Sequence, residues 1–212
     1  MDELVELSEM YYGTDDRLLN GYVSTISNTN AVGHPFFLTE EWIIGDVFMD
    51  GGEFHQVALK YNIELDEIYF IGKNKNGPTP IIILNKNLID SVRLENHLFI
   101  NANRMPIQNP VGFIEVLYSG NLTSYLKHKI PFIIKSTSTY QYIEYREPKS
   151  VIYLSDKNGL IGVRNKKDFL NKFDPFQKDI VNFMHKNKIR FNKANHNQLY
   201  RLLEYCDELS SN

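Results

Sequence analysis

Six histidines are the side chains best suited to bind a metal ion or transfer a proton, because imidazole titrates near neutral pH and coordinates transition metals. They stand at positions 34, 55, 97, 128, 185 and 196. No two are spaced as H-x-H or H-x-x-x-H, and no HExxH-type pair occurs. With histidines this scattered and a single cysteine, the sequence predicts no metal site and no cofactor.

Carboxylate pairs are a second source of chemistry, since two acids flanking a bond can hydrolyse a glycoside. Glu40 and Glu41 are adjacent in a predicted loop, where solvated charge is the usual explanation. Asp46 alternates with Trp42 and Phe48 on one side of a predicted strand, which predicts a partly buried carboxylate. Buried carboxylates with a raised pKa mark functional sites. A strand face that is only half covered explains Asp46 more simply.

Aromatic residues and the cysteine complete the candidate groups. Tyr140 and Tyr142 share a strand face and offer a platform for a sugar or peptide, although cross-strand packing explains them equally well. Cys206 lies on the apolar stripe of the last predicted helix, which favours a buried and inert thiol. The candidate binding residues are therefore Glu40, Glu41, Trp42, Asp46, Tyr140 and Tyr142. We assign no catalytic residue and expect that the protein is not an enzyme.

Charge is distributed unevenly along the 212 residues. Residues 1–70 carry fourteen acids and two bases, residues 71–163 carry six and eleven, and residues 164–212 carry six and ten. Either the regions attract each other across the fold, or the acidic region binds a cationic partner. No nucleotide-binding glycine motif occurs, and the basic stretch at 186–193 is interpreted as a loop between helices, so we expect no nucleic-acid partner.

Short alternating segments separated by turn residues predict an antiparallel sheet, roll or partly open barrel. The strongest hairpins are predicted at 42–61, around Asp50-Gly51-Gly52, and at 113–128, around Ser119-Gly120-Asn121. A short helix is predicted over 2–12. No βαβ alternation is present, which argues against a parallel nucleotide-binding sheet.

The C-terminal region changes to a helical period and predicts a cap of two to three short helices. Asn165 and Asp174 are the predicted N-caps of the first two, and Leu199, Leu202 and Cys206 lie on one face of the last. The predicted fold class is therefore α+β. A mainly β region spans 1–163 and a helical segment spans 164–212, packed together as one structural unit.

Several stretches resemble a family of small exported proteins of unknown function from Gram-negative gut bacteria. They are DDRLLNGYV (15–23), GHPFFLTEEWIIGDV (33–47), VALKYNIELDEI (57–68), GFIEVLYSGNLTSYLKH (112–128) and the lysine-rich ending from KKDFLNKF (166–173) onward. The resemblance implies a leader peptide in the precursor and a periplasmic or outer-membrane-associated location. It transfers no catalytic residue. The sequence start, Met1-Asp2-Glu3-Leu4, is unlike a signal peptide, so a cytoplasmic location is the alternative.

Two functional hypotheses follow from these observations. The first is a non-enzymatic cell-envelope protein that binds a protein partner or a surface. The alternative is a β-barrel or roll that binds a small lipid or glycan, for which a cleft of roughly 300 Å³ or more with convergent polar groups is the expected sign. No apolar run approaches the roughly 18 residues of a membrane span, so we expect no transmembrane segment. Oligomeric state has no signal in the sequence.

Overall fold

The computed structural model describes residues 15–24, 30–72, 80–107, 111–156 and 159–210. The predicted helix over 2–12 lies outside these residues. Strand accounts for 45% of the chain and helix for 23%, so the fold is an α+β fold dominated by its sheet, as predicted. Apart from one short parallel pairing, every strand pair is antiparallel.

Fourteen strands and four α-helices are present in the described part of the chain. The strands are β1 (Gly21–Val23), β2 (Ala31–Val32), β3 (Ile43–Met49), β4 (Gly52–Asn62), β5 (Glu67–Ile71), β6 (Ile81–Leu84), β7 (Ile89–Leu94), β8 (His97–Asn101), β9 (Phe113–Ser119), β10 (Thr123–Lys129), β11 (Phe132–Ser136), β12 (Gln141–Tyr145), β13 (Lys149–Asp156) and β14 (Gly159–Val163). The helices are α1 (Asp16–Leu19), α2 (Lys166–Asn171), α3 (Gln177–Lys186) and α4 (His196–Ser210).

Eleven strands form one open sheet in the order β1-β6-β5-β4-β3-β7-β8-β9-β10-β13-β14. Its two edge strands, β1 and β14, do not pair with each other, so the sheet does not close into a barrel. The remaining strands form a small second sheet in the order β11-β12-β2. The chain leaves the main sheet after β10, forms β11 and β12 of the small sheet, and returns to the main sheet as β13, which pairs with β10.

Two large apolar clusters cover different parts of the main sheet. The first consists largely of side chains from the strands before β9, includes Val47, Leu59 and Phe99, and extends to Phe113 of β9. The second lies between the last strands and the C-terminal helices and includes Leu126, Phe169 and Leu202. The helices are amphipathic and too short to be stable alone, so burial of their apolar faces on the sheet is what stabilises them.

The predicted helix starts have different outcomes. Asn165 caps α2, because its side chain accepts a hydrogen bond from the Asp168 N–H at 2.9 Å. The start predicted at Asp174 is wrong, since α3 begins at Gln177 and the Phe176 cap position makes no side-chain hydrogen bond. The turns that continue from α2 supply the backbone contacts there, including one from the Phe176 N–H to the Phe173 carbonyl at 2.7 Å.

The last helix follows its predicted face. Leu199, Leu202 and Cys206 are all buried in α4. Burial raises the pKa of the Cys206 thiol to about 12, so this group stays protonated at neutral pH. Within the described residues, no helix combines the length and the apolar character needed to cross a membrane.

Candidate metal centre

Glu115 is an acid in a position that the strand pattern reserves for apolar side chains. It alternates in β9 with Phe113 and Leu117, both of which are buried. The Glu115 residue is itself only 1% exposed. In the register of the sheet it lies opposite Phe99 of β8 on one side and Leu126 of β10 on the other. A carboxylate buried this deeply requires hydrogen-bond donors, since an unpaired one would be far too costly.

Three histidines supply those donors. His97 Nδ1 lies 2.6 Å from Glu115 Oε1, and His196 Nε2 lies 3.0 Å from the same oxygen. His128 Nε2 lies 2.6 Å from the other oxygen, Oε2. An ionised carboxylate only accepts hydrogen bonds, so the His97 and His128 nitrogens that are bonded to it carry the donated proton, while His196 Nε2 lies within ion-pair distance. Burial raises the pKa of Glu115, but the hydrogen bonds from His128 and His97 outweigh it and hold the pKa below its usual range.

Strand geometry brings two of the histidines to Glu115. His97 begins β8 and shares a face with Phe99, the direct neighbour of Glu115. His128 lies two residues after Leu126 in β10 and therefore shares its face. In β13, Ser150 is the register partner of His128, and its Oγ lies 2.9 Å from His128 Nδ1. In the tautomer whose Nε2–H donates to Glu115, His128 Nδ1 accepts a hydrogen bond from the Ser150 hydroxyl.

The third histidine is placed by a helix cap. His196 is the first residue of α4. Asn195 Oδ1 accepts from the Gln198 N–H at 2.9 Å, and Gln198 Oε1 accepts from the Asn195 N–H at 3.1 Å. This reciprocal pair is a capping box, which fixes the start of the helix. The start of α4 is thereby held beside β8 and β9.

Phe37, which precedes β3 in the chain, packs against two of the three histidines around Glu115. Its ring centroid lies 5.1 Å from that of His97 and 5.1 Å from that of His128. The residue is buried and packs against Phe99 at 4.9 Å. Aromatic packing of this kind restricts how the imidazole rings can rotate. The histidines are thus oriented both by Glu115 and by an apolar neighbour.

A cleft of about 600 Å³ opens above these residues. Glu115 lies at its floor, while His97 and His196 side chains are 24% and 40% exposed. The cleft runs between the sheet and the C-terminal segment. It is lined by Phe37, Leu38, His97, Glu115, Leu126, His128, Pro148, Lys149, Ser150, Ile152, Val163, Arg164, Phe191, Asn192, Ala194, His196 and Leu199.

His97, Glu115 and His196 together fit a metal-binding site. One ligand atom from each lies within 4.8 Å of the other two. Ligand atoms bound at about 2.0–2.2 Å to one transition metal are separated by roughly 3 Å, so small rotations suffice to bring the set into coordination. Two histidines and one carboxylate are a ligand set of zinc hydrolases and of non-haem iron enzymes. His128 is hydrogen-bonded to the second oxygen of Glu115. Residues in this position, bonded to a metal ligand but not to the metal, orient the ligand.

The residues singled out from the sequence lie elsewhere. Glu40 and Glu41 are exposed, and the Trp42 ring packs under Lys60 Nζ at 4.7 Å. Asp46 lies on the half-covered face of β3, where it accepts from the Gln56 N–H at 3.3 Å and pairs with His55 at 3.2 Å. The structure does not bring these acids together with Glu115, and none of them lines the cleft.

The predicted tyrosine pair is in contact but remote from the cleft lining. The ring centroids of Tyr140 and Tyr142 are 6.1 Å apart. Both belong to the region of β12 in the small second sheet. Their role as a binding platform stays a prediction.

Sequence reasoning overlooked Glu115, although a signal was present. The alternation that drew attention to Asp46 also places Glu115 between Phe113 and Leu117 in a predicted hairpin. The histidines gave no such signal, because their meeting depends on which strands pair. Comparison of the chain with protein families, curated proteins and solved structures finds no match in any of the three.

Proposed function

We propose that this protein binds a divalent transition-metal ion through His97, Glu115 and His196 and uses it to bind and act on a small molecule in the cleft. The observation that carries the proposal is the convergence of two histidine nitrogens on one oxygen of a buried carboxylate. Each imidazole can bind a metal ion through one ring nitrogen when its proton lies on the other, so the pair offers two nitrogen ligands beside one carboxylate oxygen.

Each residue has a definite task in this proposal. His97 Nδ1, His196 Nε2 and Glu115 Oε1 bind the ion, and His128 holds Glu115 in place through Oε2. Ser150 donates to His128 and keeps its Nε2–H directed at the carboxylate. A metal bound by three protein ligands retains open positions and acts there as a Lewis acid toward water or a substrate oxygen. The 600 Å³ cleft gives a small molecule access to those positions.

Zinc binding by the purified, chelator-treated protein tests the proposal. Isothermal titration calorimetry is expected to give one zinc ion per chain, and metal analysis after dialysis should give the same ratio. Glu115→Gln and His196→Gln are expected to weaken zinc binding by at least about 100-fold, because each removes a ligand from a set of three. His55→Gln is the matched control, since His55 is an exposed histidine outside the cleft.

A serine nucleophile is the competing use of the same residues. Ser150, His128 and Glu115 form a nucleophile–base–acid chain in which the base is oriented by the acid. Reaction of Ser150 with a fluorophosphonate probe, combined with no stoichiometric zinc binding, would favour that chain and reject the metal centre. Zinc binding without labelling of Ser150 would favour the metal centre.

The second candidate function is partner binding at the cell envelope, which the sequence resemblance suggests. It is supported by the outer strand of the small sheet, where Phe132, Ile133 and Ile134 are consecutive and exposed. Consecutive exposed apolar residues on an edge strand are typical of interaction surfaces. Pull-down from bacterial membranes with the wild-type protein and Ile134→Lys tests this role. Recovery of the same proteins by both would argue against a partner at this surface.

A further inference from the structure

Two basic residues line the cleft that holds the candidate metal centre. Lys149 begins β13 and Arg164 follows β14, and both are exposed and line the cleft. Neither forms an ion pair with another residue in the described ranges. Glu115 is the one acid among the lining residues, and the three histidines already occupy both of its oxygens. Among the described residues, Lys149 and Arg164 are thus two cations in the cleft lining without a carboxylate partner.

A second cleft of about 390 Å³ adjoins the first. The two share Phe37, Leu38, His128 and Pro148 as common walls. Beyond those walls, Phe36, Ile63, Ile130 and Tyr145 give the second cleft apolar and aromatic surface, and the rest of its described lining is Gly33, His34, Arg146 and Glu147. The second cleft therefore offers a patch of apolar surface next to the first cleft, which holds the histidines, Lys149 and Arg164.

Leu38 stands at the boundary in an unfavourable conformation. The Thr39 N–H donates to the Phe37 carbonyl at 2.8 Å across it, and its φ is 61°. This tight turn is rare and strained, and a bulky residue in it is a conformational outlier. Leu38 lines both clefts, and 52% of the residue is exposed. Backbone strain that presents an apolar side chain to a cleft is typical of ligand contacts.

From these three observations we infer that the ligand of the cleft is a small amphiphilic carboxylate. Its carboxylate lies between Lys149, Arg164 and the metal ion, and its apolar chain passes over Leu38 into the second cleft. The inference rests on the proposed metal centre for one of the three contacts to the carboxylate. Lys149 and Arg164 contribute the other two without a metal ion.

Three simple probes separate the two ends of such a ligand. Octanoate carries both the anion and the chain, acetate carries the anion alone, and octan-1-ol carries the chain alone. Calorimetric titration of the zinc-loaded protein is expected to give octanoate a dissociation constant at least about tenfold below that of either other probe. Octanoate that binds no more tightly than acetate would remove the apolar contact, and octanoate no tighter than octan-1-ol would remove the anion contact.

Variants then assign the contacts. The double variant Lys149→Gln/Arg164→Gln is expected to weaken octanoate binding at least about tenfold and to leave octan-1-ol binding unchanged. Leu38→Ser is expected to weaken octanoate and spare acetate. The matched controls are Lys178→Gln and Leu65→Ser, which change exposed residues outside both clefts. Unchanged octanoate binding in the cleft variants would overturn the inference.

Zinc stoichiometry is measured on each of the same preparations, so a failed metal centre is recognised separately. If the wild-type protein binds no zinc, the metal proposal fails, and octanoate titration of that metal-free protein still tests the contacts to Lys149, Arg164 and Leu38. Zinc binding with no preference for octanoate would leave the metal centre standing and reject the amphiphilic carboxylate.

Discussion

Two carboxylates, the half-buried Asp66 and the buried Glu115, are neutralised in different ways. Asp66, in the turn between β4 and β5, forms ion pairs with Lys86 and with Lys127, whose Nζ lies 2.6 Å away. It also accepts from the Tyr61 hydroxyl at 2.7 Å. In the described part of the chain, the charged or polar side chains that pair with Glu115 are all histidines. Lysine holds its proton through the physiological range, whereas a neutral imidazole binds a metal ion through one ring nitrogen while its proton stays on the other.

The neighbouring residues Lys127 and His128 show how close the two environments are. Consecutive residues of a strand point to opposite faces, so β10 directs the lysine and the histidine away from each other. Lys127 binds Asp66 and the Phe113 carbonyl, whereas His128 binds Glu115. The Asp66 cluster, which consists of Asp66, Tyr61, Lys86 and Lys127, connects the β4–β5 turn to β9 and β10. It lines neither of the two clefts. We therefore assign the Asp66 cluster to stability and the Glu115 cluster to binding.

The largest effect is expected from Asp66→Asn. The amide removes the negative charge and leaves the ammonium of Lys127, which is only 8% exposed, without this carboxylate. Loss of one member of a buried ion pair costs about 3–5 kcal/mol. Urea unfolding should show this loss, and zinc binding by the folded variant should be unchanged. Asp46→Asn is the matched control, because the described ion pair of Asp46 is with a more exposed histidine, His55, at 3.2 Å. An equal loss in both variants would contradict the special role of Asp66.

Zinc should stabilise the protein through Glu115 and not through Asp66. With zinc at 100 times its dissociation constant, linkage predicts about 2.7 kcal/mol of added stability. For a chain of this size that corresponds to a rise in Tm of roughly 5–10 °C. Thermal unfolding should show the rise in the wild-type protein, and a similar rise in Asp66→Asn from its lower starting point. A rise that survives in Glu115→Gln would place the zinc elsewhere.

The sequence predicts pairings between neighbouring strands better than pairings between strands that are distant along the chain, and the Glu115 cluster depends on the second kind. Hairpins such as β3–β4 and β9–β10 were predicted because their turn residues and alternation are local signals. The strand β11 was missed, since its Phe-Ile-Ile run does not alternate. The pairings β3–β7 and β10–β13 join strands distant in sequence, and no local pattern encodes them. Ser150 meets His128 only through the second of these pairings.

Lowering the pH should reduce the stability that the Asp66 cluster contributes, and the pKa of Asp66 sets the pH range of the loss. Burial raises the pKa of Asp66, but Lys127 and Lys86 outweigh that effect and hold the pKa below its usual range. The unfolded chain therefore takes up a proton at a higher pH than the native protein does. The stabilisation is complete above the usual aspartate pKa and is lost as the pH falls through the lowered one. Unfolding free energies measured from pH 7 to pH 3 should fall less steeply in Asp66→Asn than in the wild-type protein.

The smallest effect on stability is expected from Ser150→Ala. Ser150 is exposed, and its one described side-chain contact is the 2.9 Å hydrogen bond to His128 Nδ1. Removing an exposed hydroxyl changes stability by no more than about 0.5 kcal/mol. Zinc affinity should fall by less than about tenfold, because Ser150 acts on the metal ligands only through His128 and Glu115. A loss of zinc binding as large as that in Glu115→Gln would mean that Ser150 contacts the metal site directly. A small loss of zinc affinity would mean that Ser150 acts only by orienting His128. The Asp66 cluster has no histidine to be oriented in this way.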